Sequence, residues 1–354
     1  MRQIGFFLDA PGISKNLKSL INSEVNTMKM KKSDRKFSKA ARITLGTWMI
    51  IISLLFAEHG ETRDMTPSDA FATMDLAVRS LDPLMQAKGI KPPEKWDIPE
   101  KGLRPMHVYQ MAVACIDMMI AFEKKLGIRP MPKVVATPRE YVPEDVRKLG
   151  IMLVAEIRNV ASVLKVADLP STESEFSDKV PTDVFKNSLD VFVRLSILAG
   201  METITPDEVF SQMVRVVSDV KSILSHIDPA QRFRIDAPLS PAEITPAHVF
   251  RECLQIRQDI NTLRKHFNLE TIPVPDVPED QVLHPADVFV QTQIIIAELN
   301  LLKMGSGTVS STPLAIPVSG KVSRDVHQQA LMVRYLLSQI QPLQEMVKEV
   351  RNEK

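Results

Sequence analysis

The chain has 354 residues, of which 44% are hydrophobic, 25% charged and only 5% aromatic, and its formal net charge is +1. This is the make-up of an ordinary globular protein, with enough chain for one large core or two small ones. The charge is uneven. Residues 1–57 hold ten of the 44 basic residues and three of the 43 acidic ones, leaving 34 basic against 40 acidic beyond them. An acidic remainder gives no support to nucleic-acid binding, which wants a basic face.

Residues 1–27 show no pattern and read as lying upstream of a better start at Met28 or Met30. From there Lys29, Lys31, Lys32, Arg35, Lys36, Lys39 and Arg42 precede the apolar run Ile43 to Ala57. A basic head and a run of that length ending in a small residue predict an export signal over 28–57. The run is short for a bilayer span, which needs roughly 20 residues. Cleavage and retention as an inner-membrane anchor both stay open, and membrane contact is expected only through this segment. No Cys follows it, so no lipoprotein signal is written. The expected address is periplasmic or secreted.

Beyond residue 64 one start signal recurs eight times. It reads Thr66-Pro67 with Asp69, Pro105 with His107, Pro143 with Asp145, and Pro181 with Asp183. It returns as Thr205-Pro206 with Glu208, Thr245-Pro246 with His248, Pro285 with Asp287, and Ser323 with Asp325. Proline fits the first helical position, where its missing N–H costs nothing. A Thr before it can cap, and Thr66 with Asp69 or Thr205 with Glu208 spell a capping box. Acids there also suit the positive helix end. The motif reads as folding grammar, not as catalytic carboxylates.

Each start opens an amphipathic stripe. After Pro206 the apolar positions are Val209, Phe210, Met213, Val216, Val220, Ile223 and Ile227; after Pro246 they are Val249, Phe250, Cys253, Ile256, Ile260, Leu263 and Phe267. Steps alternating three and four place these side chains on one face, the seam of a helical bundle. The repeated aromatics Phe185, Phe210, Phe250 and Phe289 are expected to be buried at the bundle end. The predicted fold is therefore all-α, with eight long amphipathic helices.

Successive starts lie 38, 38, 38, 25, 40, 39 and 38 residues apart. The short step falls in the middle. The two halves match at offsets of 139 to 142, and Lys179-Val180 corresponds to Lys321-Val322. This predicts two tandem four-helix modules, 64–200 and 203–354, joined at Gly200 to Ile204. The connectors are long, Pro-rich and partly apolar, and read as extended. About 14 extended residues span roughly 45 Å, enough to run back along a helix. Parallel and antiparallel helix orders both remain open, and Gly305 to Ser311 reads as a flexible linker.

The sequence offers little chemistry. Cys115 and Cys253 fall on matching stripes, either as buried thiols or as a disulfide between halves. No Cys-x-x-Cys, Glu-x-x-His pair or His-x-x-x-His pair is present, nor any phosphate loop or nucleophile elbow. His107 and His248 are the weak binding candidates, either as polar groups at one end of the bundle or as solvated first-turn residues. Met106, Met111, Met118, Met119 and Met131 read as core rather than a Cu(I) stripe. No cofactor or metal is expected. The leading expectation is an exported, non-enzymatic helical-repeat scaffold that binds another macromolecule, most simply a protein. The alternative is a sensor-like bundle holding a small ligand, for which the polar interruptions Arg147, Gly150, Ser188, Thr292 and His327 would line a cavity.

Overall fold

The computed structural model describes residues 64–352 apart from 97 and 278–281; the start-site and export expectations for 1–57 lie outside the described residues. Eight long helices begin where the start signal predicts. They are α1 Pro67–Ala87, α2 Pro105–Lys125, α3 Pro143–Leu164, α4 Pro181–Ala199, α5 Pro206–Ile227, α6 Pro246–His266, α7 Pro285–Ser306 and α8 Ser323–Leu337. A further helix, α9 Ile340–Asn352, continues from α8 after a break at Ser338 and Gln339. No strand occurs among the described residues.

The start signal supplies an acceptor at the same position in each helix it opens. At all eight starts the third helical residue accepts the N–H of the residue before the helix. The distances run from 2.7 Å at Asp69 and Asp287 to 3.2 Å at His248. At Thr66 and Thr205 the expected capping box is present. Thr66 and Thr205 also donate their hydroxyls to Asp69 and Glu208, and Thr205 accepts a helix N–H from Asp207. The signal can therefore dispense with Thr, and Val142, Val180 and Val322 serve equally well before the helix.

Within 67–199, α1 and α2 each pack on both α3 and α4; within 206–337, α5 and α6 each pack on both α7 and α8. All helices of a set run the same way. Pro206, Pro246, Pro285 and Ser323 meet around one small gap, so the starts of α5 to α8 share an end. In the first set the Leu103 N–H donates to Thr182, and the Lys179 N–H to Ser68, which gathers the starts of α1, α2 and α4. Tyr109 in the first turn of α2 stacks on Tyr141, just before α3.

Parallel order obliges each connector to travel the length of the bundle, and the contacts trace that path. After α3, Pro170 and Ser171 meet Arg158, Glu173 meets Arg147 and Thr73, and Lys179 reaches Ser68. After α7, Thr312 meets Asp219, Pro313 meets Arg215, Ile316 meets Ser211, and Lys321 reaches Asp207. The expected flexible linker is thus an ordered part of this return. Gly305 and Ser306 finish α7, and Gly307 closes it at φ 80°. Ser310 also holds Ser222 and Lys303.

The chain turns round only between α4 and α5, the place of the short step. The two sets are antiparallel: His107 at the start of α2 faces Glu298 late in α7, and Phe192 late in α4 stacks on Phe289 at the start of α7, centroids 5.0 Å apart. The packing of α2 on α7 joins the sets, and 65–354 forms one compact unit. α2 is long and apolar enough to cross a membrane, but here it is a core helix.

Cys115 and Cys253 are separate buried thiols, so the disulfide option falls. Burial pushes both thiols well above the usual cysteine range. Phe185, Phe250 and Phe289 are buried as expected. Phe210 is only partly buried, because it opens the first helix of its set and lies under Lys321, whose Nζ is 4.7 Å from the ring centre. Its counterpart Phe71 is held the same way by Lys179, also at 4.7 Å. Alanine at 185, 250 or 289 should therefore cost about 3–5 kcal/mol each in urea denaturation. Phe210→Ala should cost less than about 2 kcal/mol. Equal losses at all four positions would contradict this difference in burial.

Candidate functional site

The sequence put forward His107 and His248, and the fold separates them. Each occupies the third helical position and accepts the preceding N–H through Nδ1, at 2.9 Å from Arg104 and 3.2 Å from Thr245, the work an Asp does elsewhere. Because α2 runs opposite to α6, the two lie at opposite ends of the molecule. His248 is exposed, whereas His107 is fully buried, so neither a shared binding end nor a solvated pair describes them.

His107 belongs to a closed ionic cluster where the sets meet. Arg257 of α6 donates to Glu298 of α7 at 3.1 Å and to Glu100, on the connector between α1 and α2, at 3.0 Å. Gln291 of α7 donates to the same Glu100 at 2.7 Å. Burial pushes the Glu298 carboxyl up, but Arg257, His107 and Arg264 outweigh it and hold it below the usual carboxylate range. Arg257, Glu100 and Glu298 are completely excluded from solvent, so no substrate reaches them. Removing one partner from such a group costs about 3–5 kcal/mol, because the others stay charged and buried. This cluster aligns the two sets.

The polar interruptions do not line a cavity either. Ser188 and Thr292 return their hydroxyls to Val184 and Phe289 of their own helices. Gly150 lets α3 approach α1, where a Cβ would meet Thr73 Cγ2 at 2.8 Å. His327 bonds Ser240 at 3.0 Å, and Arg147 pairs with Glu173 at 3.2 Å. Met106, Met111, Met119 and Met131 are core residues and Met118 borders the core. Among the described residues no cluster of His, Cys, Asp and Glu is placed to hold a metal.

Accessible space lies elsewhere, in a polar hollow of about 610 Å3 around Arg104 and Glu270 and in a more apolar cleft of about 770 Å3 at the turn between the sets. Trp96 on the connector before α2 forms one wall, and Phe192 and Ile197 near the end of α4 form another. Ile204 in the short turn and Pro285 at the start of α7 close the remainder. The stack of Phe192 on Phe289 makes Phe192 a rigid part of the wall. A narrower extension of about 320 Å3 shares Phe192, Met201 and Ile204 and runs in between α2 and α5. The volume and apolar lining suit a small organic ligand. Sequence reading missed the cleft because its walls come from three separate stretches, 94–96, 192–206 and 284–287. No protein-family model, curated protein or solved structure matches the chain.

Burial lowers His107 below the ordinary imidazole range, against the opposing pull of Glu298; Arg257 and Arg264 add to the lowering. Its Nδ1 is already an acceptor, so a second proton would set N–H against the Arg104 N–H. The unfolded chain therefore binds this proton at higher pH than the folded one. The stability held by neutral His107 is full above the ordinary imidazole value and is lost as pH falls through the folded value. His107→Asn keeps a short polar side chain without the titration. Between pH 8 and pH 5 its urea stability should fall less than that of the parent. An equal fall would place the acid sensitivity elsewhere, for instance at His327, which burial also lowers.

Proposed function

We propose that the chain is a non-enzymatic binding protein whose ligand is a small, largely apolar molecule held in the cleft between the α4–α5 turn and the start of α7. The observation that carries this reading is the cleft of about 770 Å3, walled by Trp96, Phe192, Ile197 and Ile204 and open to solvent. Pockets of roughly 300–1,000 Å3 with aromatic walls take drug-sized ligands. The buried Arg257, Glu100 and Glu298 are taken up in ion pairs between the two sets, which fits a binder better than a catalyst. A neutral naphthylamine dye should bind the protein saturably at one site, with a blue shift on leaving water. Ile197→Arg, checked for helicity by circular dichroism, should abolish that binding. Unsaturable binding, or binding unchanged in the variant, would remove the cleft as the ligand site.

A scaffold that docks another protein is the second reading. It is supported by Leu239 and Val309, 87% and 89% exposed on the return connectors. Isolated exposed apolar residues are common on any surface, so the cleft carries more weight.

We also propose that the protein acts outside the cytoplasm, on the strength of the seven basic residues before the apolar run Ile43 to Ala57. Residues 28–60 fused to a reporter active only after export should give activity. A well-expressed but silent fusion would refute it.

A further inference from the structure

We propose that the ligand of this cleft is an amphiphilic cation, an alkyl or aryl ammonium whose charge sits at the rim while its apolar part lies against the aromatic wall. The inference rests on the cleft being the ligand site and adds the charge of the ligand. Its basis is the distribution of charge around the opening. The main chamber is lined by three carboxylates, Glu94, Glu202 and Asp287, and by no Lys or Arg. The narrow extension differs, with Asp117, Asp207 and Glu208 against Lys124, Lys133 and Arg215. The acidic excess therefore belongs to the outer chamber alone.

Two of the three acids have no structural task of the kind seen elsewhere in the chain. Asp287 accepts the His284 N–H at 2.7 Å and serves the start of α7. Glu94 and Glu202 are exposed, and neither forms an ion pair among the described residues. The neighbouring Lys95 acts on Asp190 of α4. The positive ends of α5 and α7 also face this region, but Glu208 and Asp287 each accept an N–H at those ends, which offsets them. An anionic head would meet carboxylates with no lining cation to receive it. A cationic head would meet Glu94 and Glu202, with Trp96 beside them, and indole is the best aromatic face for a cation. The apolar volume beneath explains why the fitting ligand is amphiphilic rather than a bare metal or ammonium ion.

The test is calorimetry on the full chain with three ligands of one length: octylamine, octanol and octanoate. Octylamine, protonated at neutral pH, should bind at least about tenfold tighter than either of the others, a gap of about 1.4 kcal/mol. Raising the salt to 1 M should shrink that gap, since the screening length falls to about 3 Å. Combining Glu94→Gln with Glu202→Gln should bring octylamine to within about twofold of octanol, with helicity retained by circular dichroism. Octanol or octanoate binding as tightly as octylamine would overturn the charge assignment and leave the cleft standing as an apolar site. A gap that survives in the double variant would likewise overturn it. Failure of all three ligands and of the neutral dye would remove both the assignment and the cleft.

Discussion

Helices that all start at one end of a bundle cannot be joined by tight turns, and this constraint shapes the whole chain. A helix of about 20 residues is about 30 Å long, so each parallel step needs a return of that length in extended backbone. Extended chain lying on a helix has no neighbouring strand to satisfy its amides. Side chains take over. Asn261 holds both the N–H and the carbonyl of Ile272, at 2.9 and 2.7 Å, and Gln339 does the same for Arg234, at 2.8 and 2.9 Å. Gln328 clasps the Ser240 N–H and the Pro238 carbonyl. The proline in these returns lowers the number of donors that need such help and fixes φ near the extended range. Composition, connector length and helix order are thus three expressions of one geometry.

Parallel order also has an electrostatic cost. Each helix carries roughly half a positive charge at its start, and a set gathers four of these at one end. The acceptor at the third helical position meets this locally in every helix, whether it is Asp, Glu or a neutral His. Basic residues stand at the opposite end of some helices, Lys124 and Lys125 in α2 and Arg264, Lys265 and His266 in α6, whereas α1, α3 and α4 have none in the last turn. Setting the two sets antiparallel then brings the positive end of one beside the negative end of the other. The short α4–α5 step is the covalent form of that arrangement.

The helices were legible because proline, the acid three places after the cap and the three-four stripe are local signals. Helix direction was not, since a 14-residue extended connector permits either order, although the single short step hinted at a single reversal. His107 was misread for a different reason. Its local text matches that of His248, yet one is buried and the other exposed, because only α2 is covered by the opposite set. Ser188 and Thr292 looked like cavity groups when read as interruptions of a stripe. A hydroxyl that bonds back to its own helix needs no cavity and leaves no trace in the periodicity.

A signal for the junction was present nonetheless. α7 runs Val288-Phe289-Val290 and Ile294-Ile295-Ile296 with little polar face, and a helix apolar all round is a buried helix. Sixteen of its 22 residues are buried, against eight of 22 in α3, its counterpart in the first set. The apolar α2 packs on α7, whereas the equivalent pair, α6 and α3, is not among the packed pairs. The two sets therefore meet asymmetrically, through faces that their counterparts leave to solvent. Two sets of four helices with matched starts would be expected to have similar ends. The offset junction breaks that likeness, and the end of α4 meets the start of α7 at the Phe192–Phe289 stack. The cleft opens beside this stack, with Phe192 in its wall. Its acids Glu94 and Glu202 lie on the α1–α2 connector and on the turn, outside the helix-start grammar. A functional site is expected on such segments, where side chains are free of the demands of the repeat.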